Sequence, residues 1–315
     1  MHDEPPGEFG LIARHFRPLA GPGALDLLDD AALLDPPPGR TLVLTTDAMV
    51  AGVHFLPHDP PHEIAQKLLR VNLSDLAAMG ATPLAYLQTV SAPRDTPGTW
   101  FAAFAAGLAQ DGATFGITLL GGDTTHTPGP LTLSLTAIGH VEKGGAIRRT
   151  GARPGDDIYV TGTIGDGALG LLARQGHLPD PTGHLSSRYG LPQPRLGLLH
   201  PTLVHAAMDI SDGLVQDLGH LARAAKLAAT IHAPAVPLSP EARAANRLPL
   251  CLTGGDDYEL LIAAAPHQAP ALQAAAATLH IPLVRIGLFE PGANVQVLDA
   301  NGTPIHLNQA GWSHF

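Results

Sequence analysis

The sequence predicts an α/β (α+β) protein of two domains, and three observations carry that prediction. Apolar runs of strand character alternate with stretches of helical period in both halves of the 315 residues. A hydrophobic fraction of 45% over that length is enough to bury a substantial core. Residues 142–156 are polar, punctuated by glycine and without an apolar period, which sets the boundary between a domain over 1–145 and one over 146–315.

Taken in order, Thr41 to Asp47 reads as a strand ending in an acid, and Glu63 to Gly80 as a helix burying Ile64, Leu68, Leu69, Leu73 and Leu76. On that helix Asn72 and Asp75 share a face at i, i+3. Pro83 to Ala92 is a strand, and Gly98 to Gly112 a helix with Trp100, Phe101, Phe104 and Leu108 inward. Ile117 to Leu120 is a short strand stopping at Gly121-Gly122-Asp123, and Leu131 to Val141 alternates as another. In the second half, Ile158 to Thr161 is a strand and Asp166 to Gln175 a helix. Residues 177–194, rich in Pro, Gly, His and Ser, read as a mobile surface segment. Gly213 to Ala228 is an amphipathic helix, Tyr258 to Ala264 a buried strand and Gln268 to Leu279 an alanine-rich helix. Leu283 to Leu288 and Val295 to Leu298 close the sheet.

Charge narrows the function. A formal net charge of −10 argues against phosphate-backbone binding, so no nucleic-acid partner is expected. Met1 to Pro6 has neither the basic nor the apolar part of a signal peptide, and no apolar run reaches the ~18 residues of a membrane span. A cytoplasmic location, without membrane, is the expectation. The single cysteine, Cys251, lies between leucines and reads as a small buried hydrophobe. Seventeen histidines are scattered, with no HxH pair to hold a metal.

The acids are the informative residues. Only 15% of the chain is charged, yet aspartates recur beside Gly, Ser or Thr at the ends of apolar runs: Asp29-Asp30, Thr45-Thr46-Asp47, Ser74-Asp75, Gly121-Gly122-Asp123, Asp209-Ile210-Ser211-Asp212 and Gly254-Gly255-Asp256-Asp257. Three lysines serve the whole chain, and no arginine lies within four residues of Asp30, Asp47, Asp123 or Asp209. Acids gathered without cations must either raise their pKa values or bind metal, and all-oxygen donors point to Mg²⁺. The competing reading of any one of them is a helix cap or turn residue. Asp75 resists that reading because it sits inside a helical pattern, where Asp is a poor former.

Nucleotide loops are mostly absent. No GxxxxGK[ST] occurs, which excludes a P-loop enzyme. Gly165-Asp166-Gly167-Ala168-Leu169-Gly170 fits GxGxxG after a strand, but the acid expected about 20 residues on would fall in the proline-rich tract. A glycine turn packing a helix closely on a strand suits the context better. Arg148 and Arg149, at the domain boundary, can serve a phosphate bidentately or simply face solvent.

Seven blocks together resemble the thiamine-monophosphate kinase family, in order from end to end. They are residues 7–12, Thr45 to Phe55, Val71 to Gly80, Gly121 to Thr125, Asp209 to Leu214, Gly254 to Leu260 and the terminal Gly311-Trp312-Ser313-His314-Phe315. The Asn-Leu-Ser-Asp and Gly-Gly-Asp blocks are shared across an ATP-binding superfamily that includes aminoimidazole ribonucleotide synthetase and selenophosphate synthetase.

The resemblance implies an N-terminal mixed sheet with helices that pairs across a homodimer, and a C-terminal α/β domain. It implies transfer of the ATP γ-phosphoryl to thiamine monophosphate, giving thiamine diphosphate, with several Mg²⁺ ions and no general base. Implied metal positions are Asp30, Thr45, Thr46, Asp47, Asp75, Asp123, Asp209 and Asp212. Implied nucleotide positions are Gly122, Asp123, Arg149 and Ser211, and implied substrate positions are His54, Asp256 and Trp312. The chain departs from the family where glycines usually precede the first Asp pair; Leu28 there is expected to remove backbone freedom near the nucleotide. Asp256 stands where Glu is frequent, and His126 where Arg is common. Two alternatives remain: a sister enzyme of the superfamily with another acceptor, and a catalytically impaired homologue that binds nucleotide or thiamine.

Overall fold

The computed structural model describes residues 7–313, so Met1–Pro6 and the terminal His314-Phe315 lie outside the described residues. The chain divides into two compact units, one ending at Gly144 and one beginning at Gly145, except that Ala77–Ala81 belongs with the second.

The first unit opens with a single helical turn, α1 (Glu8–Leu11), and then builds a four-stranded mixed sheet from β1 (Arg40–Val50), β2 (Thr82–Ala92), β3 (Thr118–His126) and β4 (Thr132–Glu142) in the order β1-β4-β2-β3. β4 pairs antiparallel with both β1 and β2, whereas β3 joins β2 in parallel. Two helices of 18 residues, α2 (Pro61–Ala78) and α3 (Gly98–Phe115), complete the unit. On α2 the predicted apolar stripe of Ile64, Leu68, Leu69, Leu73 and Leu76 is buried throughout; each such side chain contributes roughly 1.5–3 kcal/mol. On α3, Phe101, Phe104 and Leu108 are buried and Trp100 is half-buried, stacked on Phe104 at 4.9 Å between centroids.

The second unit carries a six-stranded sheet ordered β10-β7-β9-β5-β8-β6, from β5 (Asp157–Thr161), β6 (Ala206–Asp209), β7 (Leu227–His232), β8 (Leu260–Ala264), β9 (Leu283–Pro291) and β10 (Val295–Leu298). Its helices are α4 (Asp166–Arg174), α5 (His184–Gly190), α6 (Leu214–Ala225), α7 (Pro240–Ala245), α8 (Leu248–Thr253) and α9 (Ala269–Thr278). One apolar cluster joins α6 to the sheet through Leu214, Leu218, Leu221, Ile158, Val160 and Ile231.

Four expectations are corrected. β3 does not stop at Gly121 but runs through Gly-Gly-Asp to His126, because the glycines let it stay paired with β2. A Cβ on Gly122 would lie 1.7 Å from the Gln88 carbonyl oxygen. Residues 177–194 are not a loose surface stretch: α5 buries Leu185 and Tyr189, and packs so tightly on α4 that a Cβ on Gly170 would meet the Leu185 carbonyl at 2.1 Å. The helix expected over 213–228 ends at Ala225, where Lys226 adopts φ 58° and turns the chain directly into β7. β9 is internal to the sheet instead of closing it.

Candidate active site

β1 alternates about the sheet, so Thr45 and Asp47 share one face while Thr46 points to the other. The Thr45 hydroxyl donates to Asp75 Oδ2 at 2.5 Å, bringing β1 and α2 together. Burial, reinforced by the charge of Asp75, pushes the Asp47 carboxyl up to about 6. Two carboxylates and a hydroxyl thus converge at a mutual electrostatic cost, which a divalent cation would relieve; the donor set is hard oxygen throughout and fits Mg²⁺. The Thr46 hydroxyl is engaged differently, donating to the Leu135 carbonyl at 3.1 Å and accepting from Thr136.

Asp30 and Asp123 form a separate group. Both border a cavity of about 560 Å³ that is also lined by Leu27, Asp29, Gln88 and Gly122. The register runs Asp47–Leu135–Gln88–Gly122 across the sheet. At about 4.8 Å per strand, the Asp47 and Gly122 backbones are therefore roughly 14 Å apart. Asp47 of β1 and Asp123 of β3 thus stand on strands three steps apart in the sheet.

Near the cavity the backbone is strained. Leu25, Asp26 and Leu27 all take left-handed φ values of 51°, 59° and 56°, a conformation that costs a non-glycine residue roughly 1–2 kcal/mol. Leu28 itself has φ −109° and is 73% exposed. The backbone cost expected at Leu28 falls on the three residues before it.

His54 follows β1 in a tight turn. The Val50 N–H donates to its Nδ1 at 3.0 Å, which leaves the ring proton on Nε2. The buried Lys67 ammonium donates to the His54 carbonyl at 3.0 Å, tying this turn to α2.

In the second unit the turn between β6 and α6 gathers most of the remaining predicted residues. Asp209 ends β6 buried, and Ser211 and Asp212 follow half-buried. The Asp256 N–H donates to the Ser211 carbonyl at 2.9 Å, and the Trp312 N–H to the Asp212 carbonyl at 2.9 Å. Trp312 is 52% exposed, so it is not the core residue that a terminal tryptophan can be. Arg149 is exposed and opens a 3-10 turn. It lies near enough to His220 that its charge helps burial and Arg223 to lower that imidazole's pKa.

Sequence reasoning missed the support of this turn. The Asp217 carboxylate accepts from the backbone N–H groups of Ser211, Asp212 and Gly213 at 3.0–3.1 Å. Burial nevertheless pushes it up to about 7. Gln216 Nε2 donates both to Asp212 Oδ2 and to the Trp312 carbonyl. One ligand atom each from Asp212, Asp217 and His220 falls within 4.8 Å of the others. The available signal was an acid in the first turn of a helix following an acidic turn.

The GxGxxG stretch is explained. The N-terminus of α4 is filled by the chain's own Asp257, whose carboxylate accepts from Gly165 N at 2.6 Å and Gly167 N at 3.0 Å. A Cβ on Gly167 would meet the Asp256 carbonyl at 2.2 Å, so the glycine serves close packing.

Comparison with known proteins agrees with this architecture. Residues 28–141 match the AIR synthase related protein N-terminal domain, and residues 153–299 its C-terminal domain. The thiamine-monophosphate kinase of Caulobacter vibrioides is 46% identical over 98% of this chain and 91% of its own length. Among solved structures, the thiamine-monophosphate kinase of Stenotrophomonas maltophilia superposes with a TM-score of 0.84 at 41% identity, covering 95% of this chain and 98% of that one. AaThiL complexed with AMPPCP and TMP superposes at 0.77 with 29% identity, covering 98% and 97%. With both halves matched and its relatives aligned nearly end to end, the chain belongs to the AIR synthase related proteins and, within them, to the thiamine-monophosphate kinase family.

Proposed function

We propose that this chain transfers the γ-phosphoryl of ATP to thiamine monophosphate, forming thiamine diphosphate. The observation that carries the reading is 46% identity to a thiamine-monophosphate kinase over 98% of the chain. The ligands of the ThiL complex, AMPPCP and TMP, supply the matching pair of substrate classes.

The chemistry asks little covalent work of the protein. The acceptor is already an ionised phosphate, so no general base is required, and the difficulty is to align two anionic phosphates. Mg²⁺, when bound, neutralises the charge that develops between them. Asp30, Thr45, Asp47, Asp75, Asp123, Asp209 and Asp212 would hold several such ions. Thr46 would contribute through its place in β1, its hydroxyl being used across the sheet. Gly122 and Asp123 meet the nucleotide from β3, and Ser211 and Arg149 donate to its phosphates. His54, with its proton on Nε2, donates to the acceptor phosphate. Asp256 and the exposed Trp312 ring receive the organic part of the acceptor.

Residues 1–145 form the ATP- and Mg²⁺-binding and dimerisation domain, and 146–315 the C-terminal α/β domain. The active species is a homodimer formed through β1, an 11-residue strand at the margin of its sheet with Leu44 62% exposed. ATP supply places the reaction in the cytoplasm.

The test is purified protein with ATP, Mg²⁺ and thiamine monophosphate, with thiamine diphosphate followed by chromatography. The wild type forms product, and Asp75→Asn loses about 10- to 100-fold in activity. A wild type that binds ATP but forms no thiamine diphosphate sinks the reading in favour of another acceptor or an impaired homologue.

A further inference from the structure

Residues 254–259 form a strap that runs from α8 to β8 against the 209–212 turn. Two of its non-glycine residues are left-handed, Asp256 at φ 71° and Tyr258 at φ 51°. Conformations of that kind persist only where the surroundings over-determine them, and they cluster at functional sites. On one side the strap is fixed by main-chain bonds, Asp256 N–H to the Ser211 carbonyl at 2.9 Å and Tyr258 N–H to the Ile210 carbonyl at 2.8 Å. Gly255 has no room for a Cβ, which would stand 2.3 Å from the Ser211 carbonyl.

The other side is held by charge. Glu259 is fully buried and takes a bidentate fork from Arg195, with Nε at 2.7 Å and Nη2 at 2.6 Å. It also takes Arg188 Nη2 at 2.8 Å and the Thr161 hydroxyl at 2.6 Å. The same Arg188 Nη2 donates to the Asp257 carbonyl at 3.2 Å, while the Asp257 carboxylate is anchored at the start of α4. Arg188 lies on α5 and is only 9% exposed, and its buried Nη1 finds no hydrogen-bond partner among the described residues. An orphaned buried donor costs stability, and an apolar side chain at 188 would avoid that cost. The arginine is thus poorly explained by stability alone and well explained by what it holds.

We propose that Arg188 and Arg195 are positioning residues: through Glu259 and the Asp257 carbonyl they fix the strained strap, and with it the Asp256 carboxyl, for one placement of the acceptor. The proposal deepens the kinase reading and rests on it, since Asp256 is taken there as an acceptor-side residue. Arg195 is the sharper handle, because lysine retains the charge and loses the fork.

The test measures initial rates with thiamine monophosphate and ATP varied separately, for wild type, Arg195→Lys and Arg188→Met, together with the melting temperature of each. The expected result is a fall of 10- to 100-fold in kcat/KM for thiamine monophosphate, carried mainly by a higher KM. The KM for ATP stays within about twofold, and Arg195→Lys is the milder of the two variants. A purely structural role would reduce the folded fraction and so lower apparent kcat with both KM values unchanged; that outcome, or equal rises in both KM values, overturns the brace. If Arg188→Met fails to fold, Arg195→Lys alone decides. A wild type inactive on thiamine monophosphate overturns the kinase reading, and the brace with it, and is distinguishable because it appears before any variant is compared.

Discussion

Asp257 shows how burial sets the behaviour of a single carboxyl. Its environment removes water from both oxygens, and burial pushes its pKa up to about 8 against the opposing pull of the Gly165 and Gly167 N–H groups and Arg188. The folded state therefore holds the proton more tightly than the unfolded chain, whose carboxyl titrates near 3.8. The stability this contributes is complete below about pH 4 and is lost as pH rises through about 8. The melting temperature of the wild type should accordingly fall more steeply across that window than that of Asp257→Asn, which has no proton to lose there. Parallel curves would mean that the two glycine amides and Arg188 outweigh desolvation. Cys251 follows the same logic, its thiol pushed up to about 12 by burial and by Asp257 and Asp166, in keeping with the apolar role read from its leucine neighbours.

Among the elements, β3 carries the sharpest test of local packing. Ala at Gly122 must push aside the Gln88 main chain, whereas the nearest atom to a Cβ on Gly121 is Leu87 Cδ2 at 3.6 Å. Gly122→Ala should lose about 1–3 kcal/mol in denaturant unfolding. Gly121→Ala should stay within about 0.5 kcal/mol of wild type. Equal effects would show that the β2–β3 pairing is looser than its register implies.

The same strand shows where sequence reading fails. α2 was legible because its burial follows helical period, and β1 and β4 because they alternate. The Gly-Gly of β3 carries the signature of a break, yet parallel pairing with β2 absorbs it. β7 was hidden because a lysine, not a glycine, makes the left-handed exit from α6. α5 was hidden because what orders it is tertiary: the close approach to α4 and the Arg188–Glu259 ion pair, neither of which has a local signature. For the site, spacing singled out aspartates beside Gly, Ser and Thr as strand-end acids, but Asp47 and Asp123 lie inside β1 and β3, Asp75 lies on α2, and of these four Asp209 alone ends its strand. It had no means of placing Asp47 and Asp123 three strands apart, because that depends on which strands become neighbours, whereas Asp217 carried a local signal, an acid in the first turn of α6, that went unused.

At the scale of the whole molecule, each unit carries its own sheet, and no helix among the described residues is long and apolar enough to cross a membrane. If the active species is a homodimer, ligand and partner act on the same equilibrium, since anything that binds only the folded state stabilises it by mass action. Specific activity should then fall on dilution, and dilution in the presence of ATP and Mg²⁺ should slow that loss. Specific activity independent of concentration, with a monomer mass by light scattering, would remove the dimer from the proposal.

The marginal position of β1 reaches beyond assembly. An 11-residue strand paired on one side only among the described residues, bearing exposed Leu44 on one face, offers any other unsatisfied strand a ready template. During synthesis, that edge exposes the nascent chain to off-pathway pairing. Its own composition is the safeguard: Arg40, Thr41, Thr45, Thr46 and Asp47 make it a poor steric zipper, because stacking Asp47 in register would stack like charges. Asp47, proposed above as a metal ligand, would thus also act as a gatekeeper against aggregation while the chain is being made.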